Sequence, residues 1–232
     1  MPDLLTPKQL AEYLQLSQRT VYRMLERDQL PALKVGGQWR FRRSAVDYWL
    51  DLKMHQLDSA ELHDIQSPLT RPALSLREHL APPNALITVP AGAVPEVVGA
   101  FLAQVTFPEA VDVAAITSRI LAREALCSTA LPEGVALLHT SRWEPRALAY
   151  TLVAIGRLPE AIDFGALDGG RTDLLFLLLA RDERDHLVLQ AKAARLCREP
   201  AFLESIRTAG GPVAVVALVD ETERRVFGSG AA

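Results

Sequence analysis

Two histidines and an arginine carry the side-chain chemistry of the longer part of this sequence. His139 closes the apolar run Gly134-Val135-Ala136-Leu137-Leu138, so it stands at the end of a strand or just beyond it. His186 follows Asp185, a residue suited to capping a helix, so it stands at a helix start. Strand ends and helix N-termini are where α/β domains bind anions. A neutral imidazole nitrogen is a competent phosphoryl nucleophile near neutral pH. It needs a cation against the developing phosphate charge, and Arg123 is a candidate. On residue types alone, a structural role for the two histidines stands beside this one.

A second chemistry belongs to the first fifty residues. At about 100° per residue, Arg19, Thr20, Arg23 and Arg27 cluster on one side of a helix and Val21 and Leu25 on the other. Lys34, Arg40, Arg42 and Arg43 follow around Gly36-Gly37. Arginine at such positions clamps phosphate or bonds a guanine edge bidentately. The same stripe also suits an ordinary solvated helix face.

The elements that position these residues follow from local signals. Thr6-Pro7-Lys8-Gln9 is a helix start with a capping box and proline in the first turn. Leu5 and Leu10 staple it, and the helix runs to about Leu14. After a short turn Ser17 caps the second helix, which bears the arginines. Gly36-Gly37 between two short strands predicts a hairpin wing, with Trp39 and Phe41 packing it onto the helices. Ser44 caps a third helix that returns Val46, Trp49 and Leu50 to the core. This is the recipe of a helix-turn-helix with a wing.

These residues resemble the excisionase/MerR-like DNA-binding family without a gap across about 48 residues, most specifically in LKVGGQWRF followed by RRSAVDYWL. The resemblance implies DNA binding through the second helix and the wing.

Charge divides the same way. The 232-residue chain has net charge −3, but residues 1–53 hold nine Lys/Arg against six Asp/Glu and residues 54–232 hold 16 against 22. A basic head on an acidic body suits a local nucleic-acid contact. With 49% hydrophobic residues the chain can fill ordered cores, so general disorder is excluded. No signal peptide is expected from Met1-Pro2-Asp3, and the longest apolar run, 174–180, is too short for a membrane span. Cys127 and Cys197 lack metal-ligand spacing and read as reduced core thiols. The expectation is a cytoplasmic protein with no cofactor, no metal and no membrane insertion. Residues 53–72 read as a linker in which His55 and His63 are solvated, and residues 228–232 read as a flexible tail.

Beyond the linker, helices and strands alternate. Strands are expected at 85–89, 134–140, 148–155 and 173–180, and helices at 95–105, 111–127, 186–197 and 200–209. Residues 213–225 are ambiguous between helix and strand, and helix is preferred. Such alternation implies an α/β layered domain.

From about residue 74 to 227 the chain resembles the fructose/mannitol-class enzyme IIA domain of the phosphotransferase system (PTS). The resemblance is carried by SLREHLAPPNALITVP, by AREALCSTALPEGVALLH and by the long stretch from Ala161 to Ile206. It implies a mixed sheet flanked by helices. It places the family's phosphoryl acceptor on His139, its supporting histidine on His186 and its active-site arginine on Arg123. Two departures stand out: Thr129-Ala130-Leu131-Pro132 replaces a glycine-containing turn, and Leu138 replaces a proline before the acceptor.

The joint expectation is a winged helix-turn-helix domain at 1–52 and an enzyme IIA-like domain at 73–227. Its function would be transcription regulation, modulated by phosphorylation of, or anion binding to, the second domain. Partners would be double-stranded DNA, a PTS phosphocarrier protein and a second copy of the chain. Two alternatives stay open: a phosphocarrier serving sugar transport by passing its phosphohistidine group to a permease subunit, and an excisionase-like architectural DNA-binding protein.

Overall fold

The computed structural model describes residues 4–14, 16–27, 29–43, 45–46, 49, 74–126, 128–140, 148–166 and 168–228. The chain divides into two compact units, Met1–Gln56 and Leu57–Ala232. The expected linker, with His55 and His63, lies outside the described residues, as do Ser44, Leu50, Cys127 and all of the expected tail but Gly228.

In the first unit, strand β1 (Leu4–Leu5) leads into helix α1 (Pro7–Tyr13). The capping box forms as expected. The Gln9 N–H donates to Thr6 Oγ1 at 3.3 Å, and the Thr6 N–H donates to Gln9 Oε1 at 2.9 Å. Helix α2 (Gln18–Glu26) opens on Ser17, whose hydroxyl accepts the Thr20 N–H at 3.1 Å. Strands β2 (Leu33–Val35) and β3 (Gln38–Arg42) pair antiparallel, with Val35 opposite Gln38. The two residues between them, Gly36 and Gly37, have φ of +56° and +77°. A two-residue hairpin turn of this hand needs left-handed backbone at both positions, which glycine adopts without strain.

Strand β1 pairs with the other edge of β3, giving the order β1-β3-β2. Sequence periodicity does not announce β1, because two residues carry no period. Leu5, Leu10, Ala11, Val21, Leu30, Phe41 and Val46 form the core, with Leu25, Trp39 and Trp49 packed against it. Ala45, Val46 and Trp49 are helical, where the third helix is expected.

The second unit is built on a mixed five-stranded sheet. Its strands are β4 (Ile87–Thr88), β5 (Ala130–Leu131), β6 (Val135–Leu138), β7 (Leu152–Ile162) and β8 (Thr172–Leu179). They lie in the order β4-β7-β8-β6-β5. The β4–β7 and β6–β8 pairs are parallel; the β7–β8 and β5–β6 pairs are antiparallel. Helices α3 (Val94–Gln104), α4 (Val113–Glu124), α5 (Glu183–Leu196), α6 (Pro200–Thr208) and α7 (Pro212–Phe227) complete it.

Strand alternation assigns the layers. Leu174, Phe176 and Leu178 of β8 join a core with residues of α5, α6 and α7. Leu175, Leu177 and Leu179 join a second core with residues of α3 and α4. Adjacent side chains of a strand face opposite ways, so the sheet lies between two helical layers. The near-continuous apolar run of β8 is the mark of a strand covered on both faces.

The strand expected at 148–155 instead begins at Leu152 and runs to Ile162. Pro159 donates no hydrogen bond, but the β7–β8 ladder is irregular between Arg157 and Ile162, and β4 pairs only with Gly156 and Arg157. The last segment is a helix. Its Glu223 carboxylate is buried and accepts from Lys192 Nζ at 2.8 Å, from the Ser75 hydroxyl at 2.8 Å and from the N–H groups of Leu76 and Arg77 at 3.1 and 3.2 Å. That cluster ties the start of the described part of the unit onto α7.

Candidate functional site

Strands β6 and β8 are parallel neighbours with Leu138 opposite Leu177, so both end on the same side of the sheet. His139 follows β6 directly and is 4% exposed. Its Nδ1 lies 2.8 Å from the carbonyl oxygen of Leu137. A carbonyl oxygen only accepts, so Nδ1 is the donor in this bond.

His186 stands in the first turn of α5, beyond the end of β8. The two imidazole rings meet edge to face, with centroids 5.4 Å apart and planes at 63°. Residues separated by 47 positions in sequence thus share one end of the sheet.

Helix α5 begins three residues earlier than expected. Its cap is Asp182, whose Oδ1 accepts the Asp185 N–H at 2.8 Å. Asp185 is instead a buried residue within the first turn. Its Oδ2 accepts from the Thr151 hydroxyl at 3.1 Å and from Arg181 Nε at 3.0 Å. These bonds anchor the turn that carries His186 to the start of β7. Thr151 and Arg181 were not singled out from sequence, and no local pattern marks them.

Arg123 lies in the last turn of α4 and is 3% exposed. The helix end is fastened to the sheet by its neighbour Glu124. The carboxylate accepts the Thr129 N–H at 3.0 and 3.1 Å and the Thr129 hydroxyl at 2.6 Å. The carbonyl of Thr129 then accepts the Leu137 N–H at 3.1 Å. The element bearing Arg123 is therefore coupled through two residues to the strand that ends at His139.

The departures in this segment have local solutions. The turn before β6 places left-handed backbone at Glu133 and Gly134, with φ of +69° and +78°. Arg207 holds it, bonding the Glu133 carbonyl through Nη2 and pairing bidentately with Asp173 at 2.8 and 2.9 Å. Leu138, in place of proline, is fully buried in the core shared with α3 and α4.

In the first unit, Arg19, Arg23 and Arg27 are exposed on or just after α2. Thr20 is half-buried and its hydroxyl lies 2.9 Å from that of Ser17, so it completes the helix cap. On the hairpin, Lys34 and Arg42 are exposed, with Lys34 Nζ 5.4 Å from the centre of the Trp39 ring. Arg40 is half-buried and braces its own strand, bonding the Trp39 carbonyl at 2.9 Å and Gln38 Oε1 at 2.7 Å. Arg43 is 7% exposed, with its guanidinium stacked 4.5 Å above the Tyr13 ring. It is a packing residue beneath the hairpin and not part of the exposed cationic face, because β3 ends at Arg42 and the chain turns inward into helix.

Among the described residues, no three His, Cys, Asp or Glu side chains are grouped to hold a metal ion. No described helix is long and apolar enough to cross a membrane. Cys197 is a buried free thiol, and burial pushes its pKa well above the ordinary thiol value.

Comparison with known proteins agrees with this architecture. Residues 4–51 match the helix-turn-helix domain family, and residues 92–222 match the EIIA 2 family of the phosphoenolpyruvate-dependent sugar phosphotransferase system. The second match spans more than half of the chain, and the chain belongs to that family. A nitrogen regulatory protein of Bradyrhizobium diazoefficiens is 35% identical over 107 residues, covering 45% of this chain and 68% of that protein. One of Pseudomonas aeruginosa is 29% identical over 154 residues, covering 65% and 97%.

Among solved structures, nitrogen regulatory protein IIA-Ntr of Neisseria meningitidis superposes with a TM-score of 0.56 at 24% identity, covering 62% of this chain and 98% of that one. Enzyme IIA-Mtl of Escherichia coli, in its complex with phosphorylated enzyme IIB-Mtl, gives 0.52 at 17%, covering 60% and 95%. At these identities the superpositions show the fold. The molecule joins a helix-turn-helix region to an α/β domain of the enzyme IIA fold.

Proposed function

We propose that this protein is a cytoplasmic transcription regulator that binds DNA through residues 1–52 and takes its signal from the phosphorylation state of residues 73–227, with 53–72 as the linker between them. The observation that carries the reading is the meeting of two imidazoles at one end of the sheet, with His139 Nδ1 held by the Leu137 carbonyl and the His186 ring centre 5.4 Å away. The Nε2 lone pair attacks phosphorus, an N–P bond forms, and the bond from phosphorus to the donor breaks. The Nδ1 proton stays in place, so no proton need move. A PTS phosphocarrier protein is the donor. Arg123 balances the charge on the phosphoryl oxygens, and His186 orients them.

A phosphoryl group adds about −1.5 to −2 charges at neutral pH, enough to reset a contact between domains or copies. DNA is held by Arg19 and Arg23 from α2, by Arg27 just after it and by Lys34, Arg40 and Arg42 from the hairpin, with Thr20 shaping the helix start. A single module of this size offers a small interface, so a homodimer is the expected DNA-bound form.

DNA affinity measured with the unmodified protein, the phosphorylated protein and His139→Ala tests this directly. The phosphorylated protein is expected to differ from the other two by about fivefold or more, the lower end of ordinary coupling between sites. Equal affinities in all three would contradict the proposal.

A further inference from the structure

The exposed face of α2 holds more than cations. Val21 is fully buried and fixes the rotation of the helix about its axis. With that rotation set, Gln18, Arg19, Tyr22, Arg23 and Glu26 are all exposed, and Tyr22 retains 47% of its surface. A large aromatic side chain left about half exposed beside Arg19 and Arg23 presents an apolar surface on the same face as the cations. Thr20 is half-buried and its hydroxyl bonds that of Ser17 in the cap. Gln18 and Tyr22 are four residues apart, so they stand above one another, about 6 Å apart along the axis. Stacked base pairs are about 3.4 Å apart, so the two side chains meet positions about two base pairs apart.

Their chemistries differ from that of arginine. A glutamine amide matches the N6/N7 edge of adenine in the major groove, and an aromatic ring packs on the C5-methyl of thymine. Arginine contributes mainly through phosphate unless it finds a guanine.

We infer that Tyr22 and Gln18 read sequence from the major groove, Tyr22 by apolar contact with a thymine methyl and Gln18 by bonding adenine. The flanking Arg27 and the hairpin cations supply affinity common to all sequences. The inference rests on the DNA-binding reading above, and the occupant it requires is double-stranded DNA, for which the arginine-rich face is electrostatically complementary.

The test is selection of binding sites from a randomised duplex library by the full-length protein, followed by affinity measurements at several salt concentrations. Wild type, Tyr22→Ala, Tyr22→Phe, Gln18→Ala and Arg27→Ala are compared. Tyr22 is exposed, so its variants are expected to fold, and a thermal melt checks this. Tyr22→Ala should lose about fivefold or more of its preference for thymine at one position with the salt slope unchanged, while Tyr22→Phe keeps that preference. Gln18→Ala should relax a different position, about two base pairs away. Arg27→Ala should weaken binding to all sequences alike and lower the salt slope by about one.

If wild type selects a site and folded Tyr22→Ala and Gln18→Ala select the same site with the same preferences, the inference is overturned and the DNA-binding reading stands. If folded wild type retains no DNA, both fall together.

Discussion

At the scale of single residues, position along the sheet and position along the sequence give different answers. His139 and His186 are legible as chemistry-bearing residues, because each stands at a change of pattern. Their meeting at 5.4 Å depends on β6 and β8 being parallel neighbours, which no local signal in either segment records. Asp185 shows the limit more sharply. Asp182 and Asp185 both suit a helix cap, and the choice is made by Thr151, 34 residues away, which occupies the Asp185 carboxylate.

His79 supplies a pH test at this scale. Burial holds its pKa below the ordinary imidazole value of about 6.5, against the pull of nearby Asp185 and Glu78. Below that ordinary value the unfolded chain binds the proton and the folded one resists it. The contribution of His79 to stability is therefore full above about pH 6.5 and is lost as pH falls through its lower folded value. The melting temperature should fall between about pH 7 and pH 5.5, and His79→Gln should flatten that part of the profile. The carboxylate of Glu199, whose pKa is held down by hydrogen bonds from Arg195 and then Arg225, acts only at lower pH. An identical profile for His79→Gln between pH 7 and 5.5 would count against this assignment.

At the scale of elements, those with strong local punctuation were legible and those made by the sheet were not. Helix α1 forms where Thr6, Pro7 and Gln9 say it should, since its cap is satisfied within one turn. Thr6→Ala removes an acceptor from that box and is expected to cost about 1 kcal/mol, read as a lower midpoint for the first unit in denaturant. Strand β7 runs through Gly156 and Pro159, two residue types that ordinarily weaken a strand.

The structure gives Gly156 a reason. A Cβ placed there would lie 3.0 Å from the ring of buried Phe101, so α3 packs directly on the strand backbone. Gly156→Ala should destabilise the second unit by about 1–3 kcal/mol through overpacking. A pairing with Phe101→Leu should recover part of the loss; no interaction between the two substitutions would contradict the close approach. The two-residue strands β1 and β5 have no signal of their own in the sequence, because they exist only as partners of β3 and β6.

At the scale of the molecule, the charge division visible in the sequence coincides with the division into two units. The basic segment of residues 1–53 is nearly the helix-turn-helix unit, and the acidic remainder is nearly the enzyme IIA unit. The order of the fold is therefore legible early. The coupling proposed between the two rests on a change of charge at His139, which no residue pattern in the sequence expresses. A single histidine, His139, is expected to control the whole chain. The most direct measurement is intact-protein mass spectrometry after incubation with phosphoenolpyruvate, enzyme I and the phosphocarrier protein, run beside His139→Ala. One acid-labile phosphoryl adduct on the wild type and none on His139→Ala is the predicted result. No adduct on the wild type, or the same adduct on both proteins, would contradict His139 as the acceptor and with it the phosphorylation-dependent regulator described above.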